Sequence, residues 1–388
     1  MGKRGPSNAM LSSTLAPRSG DPFAAGACAA ELSECDFPVL VYDFFSGCGG
    51  TSAGLKRAGM RPVLALDFDS EAAKTYQLNF PDAKFICDDV RSIQTTDLEP
   101  FFERERKTPV LISACAPCQP FSRQNRQKKD DDSRITLLSE LHRFVVRFRP
   151  ELLLIENVPG LEAGEAGDKR PFLELVTLLD ELGYHHDCGV LRALDYGVPQ
   201  NRRRLFLIAS AFGPVSLPAP THGTDENPHP TVRDAISHFP PIAAGEKHRE
   251  VKNHQACALS EKNMERIRAT PEGAGRLGWD ESLKLACHQE VKGYSDVYGR
   301  MWWDRPAPAM TTRCNSLSNG RFGHPTQDRA ISIREAAALQ TFDDEFEFAG
   351  SLNGMARQIG NAVPVELAHV VGRSLLEHLK QHVVGVDG

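Results

Sequence analysis

Val39 to Phe44 (VLVYDF) is an apolar run that stops in Phe45-Ser-Gly-Cys-Gly-Gly-Thr51 and gives way to an amphipathic stretch from Ser52 to Ala58. Few folds accept that order. An apolar run of this length bounded by turn residues reads as a buried strand. The glycines at 47, 49 and 50 let the backbone turn sharply and approach a ligand closely. Strand, glycine turn and helix together form the opening unit of a nucleotide-binding α/β fold. The spacing is neither G-x-G-x-x-G nor a P-loop, so pyrophosphate is not the ligand it points to.

The unit repeats. A second strand, Pro62 to Leu66, ends at Asp67, 17 residues after Gly50. A helix from Ser70 to Asn79 follows, with Ser70 expected as its N-cap and Glu71 in its first turn. A third strand, Lys84 to Ile86, precedes Asp88-Asp89-Val90. An acid after the second strand is placed for ribose hydroxyls, and acids after the third could hold the amino group of adenine. This is a nucleoside site without a phosphate pattern, and S-adenosylmethionine fits it. The fourth strand, Val110 to Ile112, climbs into Ser113–Ser122 (SACAPCQPFS), where Pro117 and Pro120 restrict the backbone. A thiol at the carboxyl end of a parallel strand is well placed as a nucleophile. Cys115 and Cys118 could equally be small buried residues.

Arg123 to Arg134 is polar and basic, readable as a lid or as a solvated charge run. A helix from Ile135 to Phe148 leads to the strand Leu152–Ile155 and then Glu156-Asn157-Val158-Pro159. A carboxylate after four apolar residues should be partly buried, its pKa raised, and able to hold or donate a proton. A surface glutamate is the alternative. A helix from Pro171 to Leu182 precedes Gln200-Asn-Arg-Arg-Arg204, which enters the strand Leu205–Ala209. Those arginines need partners: phosphate, a base carbonyl or salt bridges. From 211 to 330 regular periodicity fades, apart from a helix at Ser260–Ala269, and Tyr298–Pro306 gathers aromatics and arginines. This reads as a second domain with a groove-binding surface. Ser332 should cap a helix through Gln340, and another, Leu352 to Ile359, stops at GNAVP. The last, Val365 to His382, carries an apolar stripe that should return it to the first domain.

The net charge of −6 does not suggest nucleic acid, but it is unevenly spread. Residues 210–330 hold 15 Lys and Arg against 14 Asp and Glu, and the remainder 30 against 37, so a local basic surface on an acidic body is possible. The ten cysteines include one C-x-x-C, which suggests free thiols in a reducing compartment and no zinc site. No apolar run has the length of a membrane span. Residues 1–36 are rich in Gly, Ala, Ser and Pro without a continuous apolar core, and read as a flexible tail rather than a signal peptide.

Six segments in this order, DFFSGCGG (43–50), APCQPFS (116–122), ENV (156–158), QNRRR (200–204), REAAALQTF (334–342) and QIGNAVP (358–364), resemble the DNA (cytosine-5) methyltransferases of the bacterial modification type. The resemblance runs from Val39 to His382. It implies a Rossmann-like α/β domain with a mostly parallel sheet over 37–210, a smaller irregular target-recognition domain over 211–330, and C-terminal helices over 331–388 that return to the first. It implies methyl transfer from S-adenosyl-L-methionine to C5 of a cytosine flipped out of double-stranded DNA, through a covalent bond between Cys118 and C6. Glu156 would serve N3, Arg204 would contact the base, and Arg202 would hold the site or a phosphate. Phe45, Ser46, Gly47, Gly49, Asp67, Phe68, Asp89, Val90, Pro117, Asn361 and Val363 would surround the cofactor, with Asp88 a rival to Asp89. Gln119, Ser122, Asn157 and Val158 would face the substrate. The same likeness implies a cytoplasmic monomer, nucleoid-associated when on DNA, with a cognate restriction endonuclease as its functional counterpart. A related branch that methylates transfer RNA is the alternative. Two positions depart from the pattern: Ala338 stands where Arg is frequent, and Asp343 where Pro is.

Overall fold

The computed structural model describes residues 39–102, 108–116, 137–161, 170–285 and 296–383. The N-terminal tail, the segment carrying Pro117, Cys118, Gln119 and Ser122, and the basic loop after it lie outside the described residues.

Strands β1 (Leu40–Phe44), β2 (Arg61–Asp67), β3 (Lys84–Cys87), β4 (Val110–Ala114), β5 (Leu152–Asn157), β6 (His185–Arg192) and β8 (Arg203–Ser210) form one seven-stranded sheet in the order β3-β2-β1-β4-β5-β8-β6. The first five run parallel, and β8 is antiparallel to both β5 and β6. The short β7 (Gln200–Asn201) pairs instead with β9 (Ala307–Pro308), tying the irregular region to the sheet's edge. Helices α1 (Gly50–Ala58), α2 (Ser70–Asn79), α3 (Thr95–Phe102), α4 (Leu141–Phe148) and α5 (Arg170–Glu181) fill the connections.

The apolar runs are continuous because both faces of the sheet are covered. On one face Phe44, Leu66, Ile112, Leu153 and Ile155 pack with Leu98, Phe144 and Leu175 of α3, α4 and α5. On the other, Val41, Leu111, Leu154 and Phe206 meet Leu55 of α1. Leu367, Val371 and Leu375 of the last helix, α10 (Val365–Val383), join them there. The predicted stripe on that helix is buried from Val365 to Leu379. It lies so close on α1 that a Cβ at Gly54 would stand 2.4 Å from the Val365 carbonyl oxygen.

Three local expectations change. The helix expected over Ile135 to Phe148 begins, within the described residues, at Leu141, after turns over 137–140. Asp69, not Ser70, caps α2: its carboxylate accepts from the amides of Glu71 and Ala72 while its own backbone is extended. Ser70 is the first helical residue, because a carboxylate one position earlier reaches those amides and carries a charge that suits a helix N-terminus. The helix α9 (Leu352–Asn361) runs through Gly360 to Asn361 rather than stopping at Ile359. Ser332 does cap α8 (Ile333–Leu339), in a reciprocal box with Glu335.

Between 211 and 330 the described regular elements are short: α6 (Val232–Ile236), α7 (Glu261–Arg268), β9 and single 3₁₀ turns. Met301, Met310, Cys314 and Phe322 from this stretch share a core with α8, α9 and Tyr76 of α2, whereas Ile267, Trp279, Tyr298 and Leu317 form a small cluster of their own. Among the described residues, no helix is long and apolar enough to cross a membrane.

Candidate active site

Parallel pairing brings the carboxyl ends of β1 to β5 to one edge. Phe44 stands beside Leu66 and Ala114, Asp67 beside Cys87, and Ala114 beside Ile155. Because β8 is antiparallel, its first residues reach the same edge, with Asn157 opposite Leu205. The strand order changes direction between β1 and β4, and a doubly wound sheet opens its ligand crevice at such a point.

On the β1–β2 side the turn at Phe45–Gly49 is fixed from several directions. The Ser46 amide donates to Leu66 O at 3.0 Å, and the Gly47 amide to Asp67 Oδ2 at 2.8 Å. Gly49 has φ of 93°, and a Cβ there would fall 2.6 Å from the Phe80 ring. Glycine at 50 is needed for a different reason: a Cβ would lie 2.5 Å from Val363 O, so the Asn361–Val363 turn rests directly on the start of α1. Asp67 Oδ1 accepts from the Asp69 amide, which leaves each carboxylate oxygen a further lone pair for a hydroxyl. Burial raises the pKa of Asp67. Next to it the Phe68 ring is 72% exposed, an apolar face open to a flat base. Val90 is buried. Asp89 is less free than expected, since Arg91 grips both its oxygens. Asp88 accepts the Asp89 amide. A nucleoside bearing a cationic sulfonium fits this set: a carboxylate, an exposed ring, backbone amides and, among the described residues, no cluster of phosphate-binding lysines.

On the β4–β5 side Glu156 is 8% exposed. Arg204 Nε lies 2.8 Å from its Oε1. Burial pushes the Glu156 pKa up, and the charges of Arg204 and Arg202 hold part of that rise back. Burial thus favours the protonated carboxyl while the two arginines favour the carboxylate, the balance that a group exchanging a proton with its substrate needs. Cys115 sits between the two sides, its Sγ 3.3 Å from Thr51 Oγ1 at the start of α1, and burial drives its thiol pKa up. It is thus a packing residue that joins β4 to α1, and a poor thiolate.

Some residues do other work than expected. Asn157 is buried, donates to Ala116 O at 3.3 Å and accepts from the Val158 amide, so its side chain holds the chain entering the Cys118 segment. Arg202 is 2% exposed and donates to Met310 O, Gly360 O and Ala362 O. With its side chain sealed against three carbonyls it has no face for a phosphate. Sequence reasoning missed Asp43, which is fully buried at the end of β1 and accepts from Ser52 and Ser113 at 2.6 Å each. A charged residue inside VLVYDF was the available signal. It also missed Gln200 and Gln340, whose side chains bond each other at 2.7 Å. Both lie inside recognisable segments, yet nothing in a glutamine's neighbours along the chain reveals a partner 140 residues away.

The family model for C-5 cytosine-specific DNA methylases matches residues 39–377. The type II methylase M.HgiDII of Herpetosiphon aurantiacus is 38% identical over 346 residues, covering 88% of this chain and 96% of that one. The type II methyltransferase M1.HphI of Haemophilus parahaemolyticus is 34% identical over 338 residues, 86% of each. Among solved structures, a protein assigned as a DNA modification methyltransferase encoded within an E. coli prophage superposes with a TM-score of 0.67 at 24% identity, over 88% of this chain and 99% of that one. The S. pombe Dnmt2 methyltransferase does so with a TM-score of 0.60 at 20% identity, over the same shares. At these identities the two structures bear on the fold alone.

Proposed function

The chain belongs to the C-5 cytosine-specific DNA methylases and uses S-adenosyl-L-methionine, and from that premise we propose that it is a type II modification enzyme that methylates a flipped-out cytosine in one double-stranded DNA sequence. When bound, S-adenosyl-L-methionine supplies an electrophilic methyl group. The protein's part is to make C5 of cytosine nucleophilic. In this reading the Cys118 thiolate adds to C6, and protonated Glu156 gives its proton to N3 as that bond forms, so that C5 becomes enamine-like. Arg204 fixes Glu156 and faces the base. After methyl transfer a base removes the C5 proton, the C6–S bond breaks to release the Cys118 thiolate, and N3 returns its proton to Glu156, which restores the ring. The base must leave the duplex to meet these groups. Phe45, Ser46, Gly47, Asp67, Phe68, Val90, Asn361 and Val363 would hold the cofactor across the crevice.

One observation supports the reading: a buried, Arg-paired carboxyl with a raised pKa stands at the end of β5, on the same sheet edge where β4 ends at Ala114, four residues before Cys118 in the sequence. In this reading the protein works as a cytoplasmic monomer beside an endonuclease of matching sequence. The test is transfer of labelled methyl groups to unmethylated duplex DNA, with bisulfite sequencing of DNA from expressing cells to give the target. Cys118→Ser should abolish transfer with DNA binding retained, and Glu156→Gln should slow it by about 10²–10⁴. Equal loss from Cys115→Ser would refute Cys118 as sole nucleophile. Labelling of transfer RNA in place of duplex DNA would refute the substrate.

A further inference from the structure

Arg202 is one corner of a buried polar clasp. Its guanidinium donates to Met310 O at 2.9 Å, to Gly360 O at 3.1 Å and to Ala362 O at 3.2 Å. Gln200, fully buried, donates to Leu339 O and to Gln340 Oε1 at 2.7 Å each, and its own Oε1 accepts the Met310 amide at 3.1 Å. Gln340, also fully buried, donates to Ile359 O at 2.5 Å and Ala362 O at 3.1 Å. At the centre, Gly360 packs so tightly on Thr311 that a Cβ would lie 2.2 Å from its carbonyl carbon. Two distant stretches of chain are therefore held to one point. The first is Ala307–Thr311, which leaves β9 toward the exposed Thr312 and Arg313. The second is Asn361–Val363, which rests on Gly50 beside the glycine turn.

Apart from the bond between Gln200 and Gln340, the clasp residues spend their hydrogen bonds on backbone carbonyls and one amide, and their side chains are buried. Only Arg202 Nε in this buried network lacks a partner among the described residues, and a network so densely bonded favours one relative position of the segments it joins. We propose that Gln200, Arg202 and Gln340 are positioning residues that hold the Asn361–Val363 turn in register with the Ala307–Thr311 segment, so that engagement of DNA by the irregular region and affinity for the cofactor are coupled through them. The proposal rests on the cofactor reading of Asn361 and Val363. Coupling between sites is reciprocal, so DNA should tighten the cofactor site by the factor by which cofactor tightens DNA.

The test uses the full chain, sinefungin as a cofactor analogue measured by calorimetry, and labelled-methyl kinetics on unmethylated genomic DNA. Wild type should bind sinefungin more tightly with DNA present. Gln340→Met leaves the Ile359 and Ala362 carbonyls without that donor and should raise the sinefungin Kd about tenfold, with the KM for DNA within about twofold. Gln200→Met cuts the link between Met310 and Gln340 and should remove the effect of DNA on sinefungin affinity. Gln200→Glu, which still accepts from Met310 but cannot donate to Leu339, should keep part of it and serves if the methionine variant does not fold. A merely structural role would lower the melting temperature and the active fraction, leaving both affinities unchanged in the folded protein, and that result would overturn the proposal. A wild type that binds no sinefungin would instead remove the cofactor reading beneath it.

Discussion

In the sheet, backbone amides and carbonyls pair with one another, and side chains are left to fill space. Between 211 and 330 the backbone has few ladders, and arginines do the pairing. Arg300, 4% exposed, donates to the carbonyls of Ile267, Thr270, His324 and Gln327. Arg321 reaches those of Gly273, Ala274 and Arg300. Arg329, fully buried, holds Ile242 O, Ala330 O and both oxygens of Glu335. Coil that packs inward must find donors for its carbonyls, and a guanidinium offers five from one side chain. The basic residues of this stretch are thus in part internal scaffolding. Its near-neutral charge balance overstates the basic surface left for DNA, because Arg266, Arg300 and Arg329 face inward.

The contrast can be broken by comparing one deletion from each region. Arg329→Met leaves Glu335 buried with its main counter-charge gone, and should cost about 4 kcal/mol. Leu154→Ala opens a cavity in the sheet core and should cost about 3 kcal/mol. Both are read from urea unfolding, and a smaller loss for the arginine would mean that packing, not guanidinium pairing, holds the irregular region. The Arg329–Glu335 pair also has a pH signature. Burial alone would raise the Glu335 pKa, but the hydrogen bonds and charge of Arg329, with His324 and the Ser332 amide, together bring it below its ordinary value. A depressed carboxyl pKa contributes stability above the unfolded value, near 4.5, that is lost as pH falls through the folded one. Stability should therefore drop below about pH 4.5 in wild type, and Arg329→Met should lose that acid limb.

Asp43 is where the sheet breaks its own pattern, and its sign is opposite. Burial lifts its pKa to about 6, against hydrogen bonds from Ser113 and Ser52 that lower it and the charge of Asp67 that raises it further. A carboxyl raised in the fold favours folding most below its unfolded pKa, and that contribution disappears as pH rises through about 6. Wild type should lose about 1–2 kcal/mol between pH 5 and pH 8 from this group, and Asp43→Asn should flatten that slope. An unchanged slope would show that the carboxyl stays neutral throughout, or that its partners compensate.

What the sequence made legible follows the same divide. Strands β1 to β5 and β8 and most helices of the first 210 residues were readable because burial on two faces writes continuous apolar runs, and because Gly50, Asp67 and Glu156 stand where those runs end; β6 at the sheet's edge, whose sequence HHDCGVLR holds no such run, was not. Glu156 and Arg204 could be chosen but not paired: their contact depends on β8 running antiparallel beside β5, which no local pattern states. The clasp of Gln200, Arg202 and Gln340 was invisible for a related reason. Most of its bonds go to backbone carbonyls, and a carbonyl has no residue identity to read. In the irregular region, internal and surface arginines look alike in sequence, and only packing separates Arg300 from Arg313.

The smallest effect concerns one of the two positions that depart from the family pattern. Asp343 replaces a frequent proline, and proline would stiffen the turn by fixing φ. Here Arg57 of α1 lies 2.6 Å from Asp343 Oδ1 and 2.8 Å from Glu366 Oε2, and also donates to Thr341 O. The turn after α8 is thereby tied by charge to α1 and to the start of α10. That tie is weak, since Asp343 is 74% exposed and an exposed ion pair contributes about 0–1 kcal/mol, less as salt screens it. Arg57→Ala should therefore lower stability by less than about 1 kcal/mol at low salt and by an unmeasurable amount at 1 M salt. A loss that persists at high salt would move the contribution from charge to the Thr341 hydrogen bond and to packing of the arginine stem. Thr341 is a suitable place for such support, because it holds a φ of 61° without being glycine. A β-branched residue in that conformation persists only where its surroundings fix it, and the bonds from Arg57 to Thr341 O and from the Glu366 amide to Thr341 Oγ1 do so from both sides.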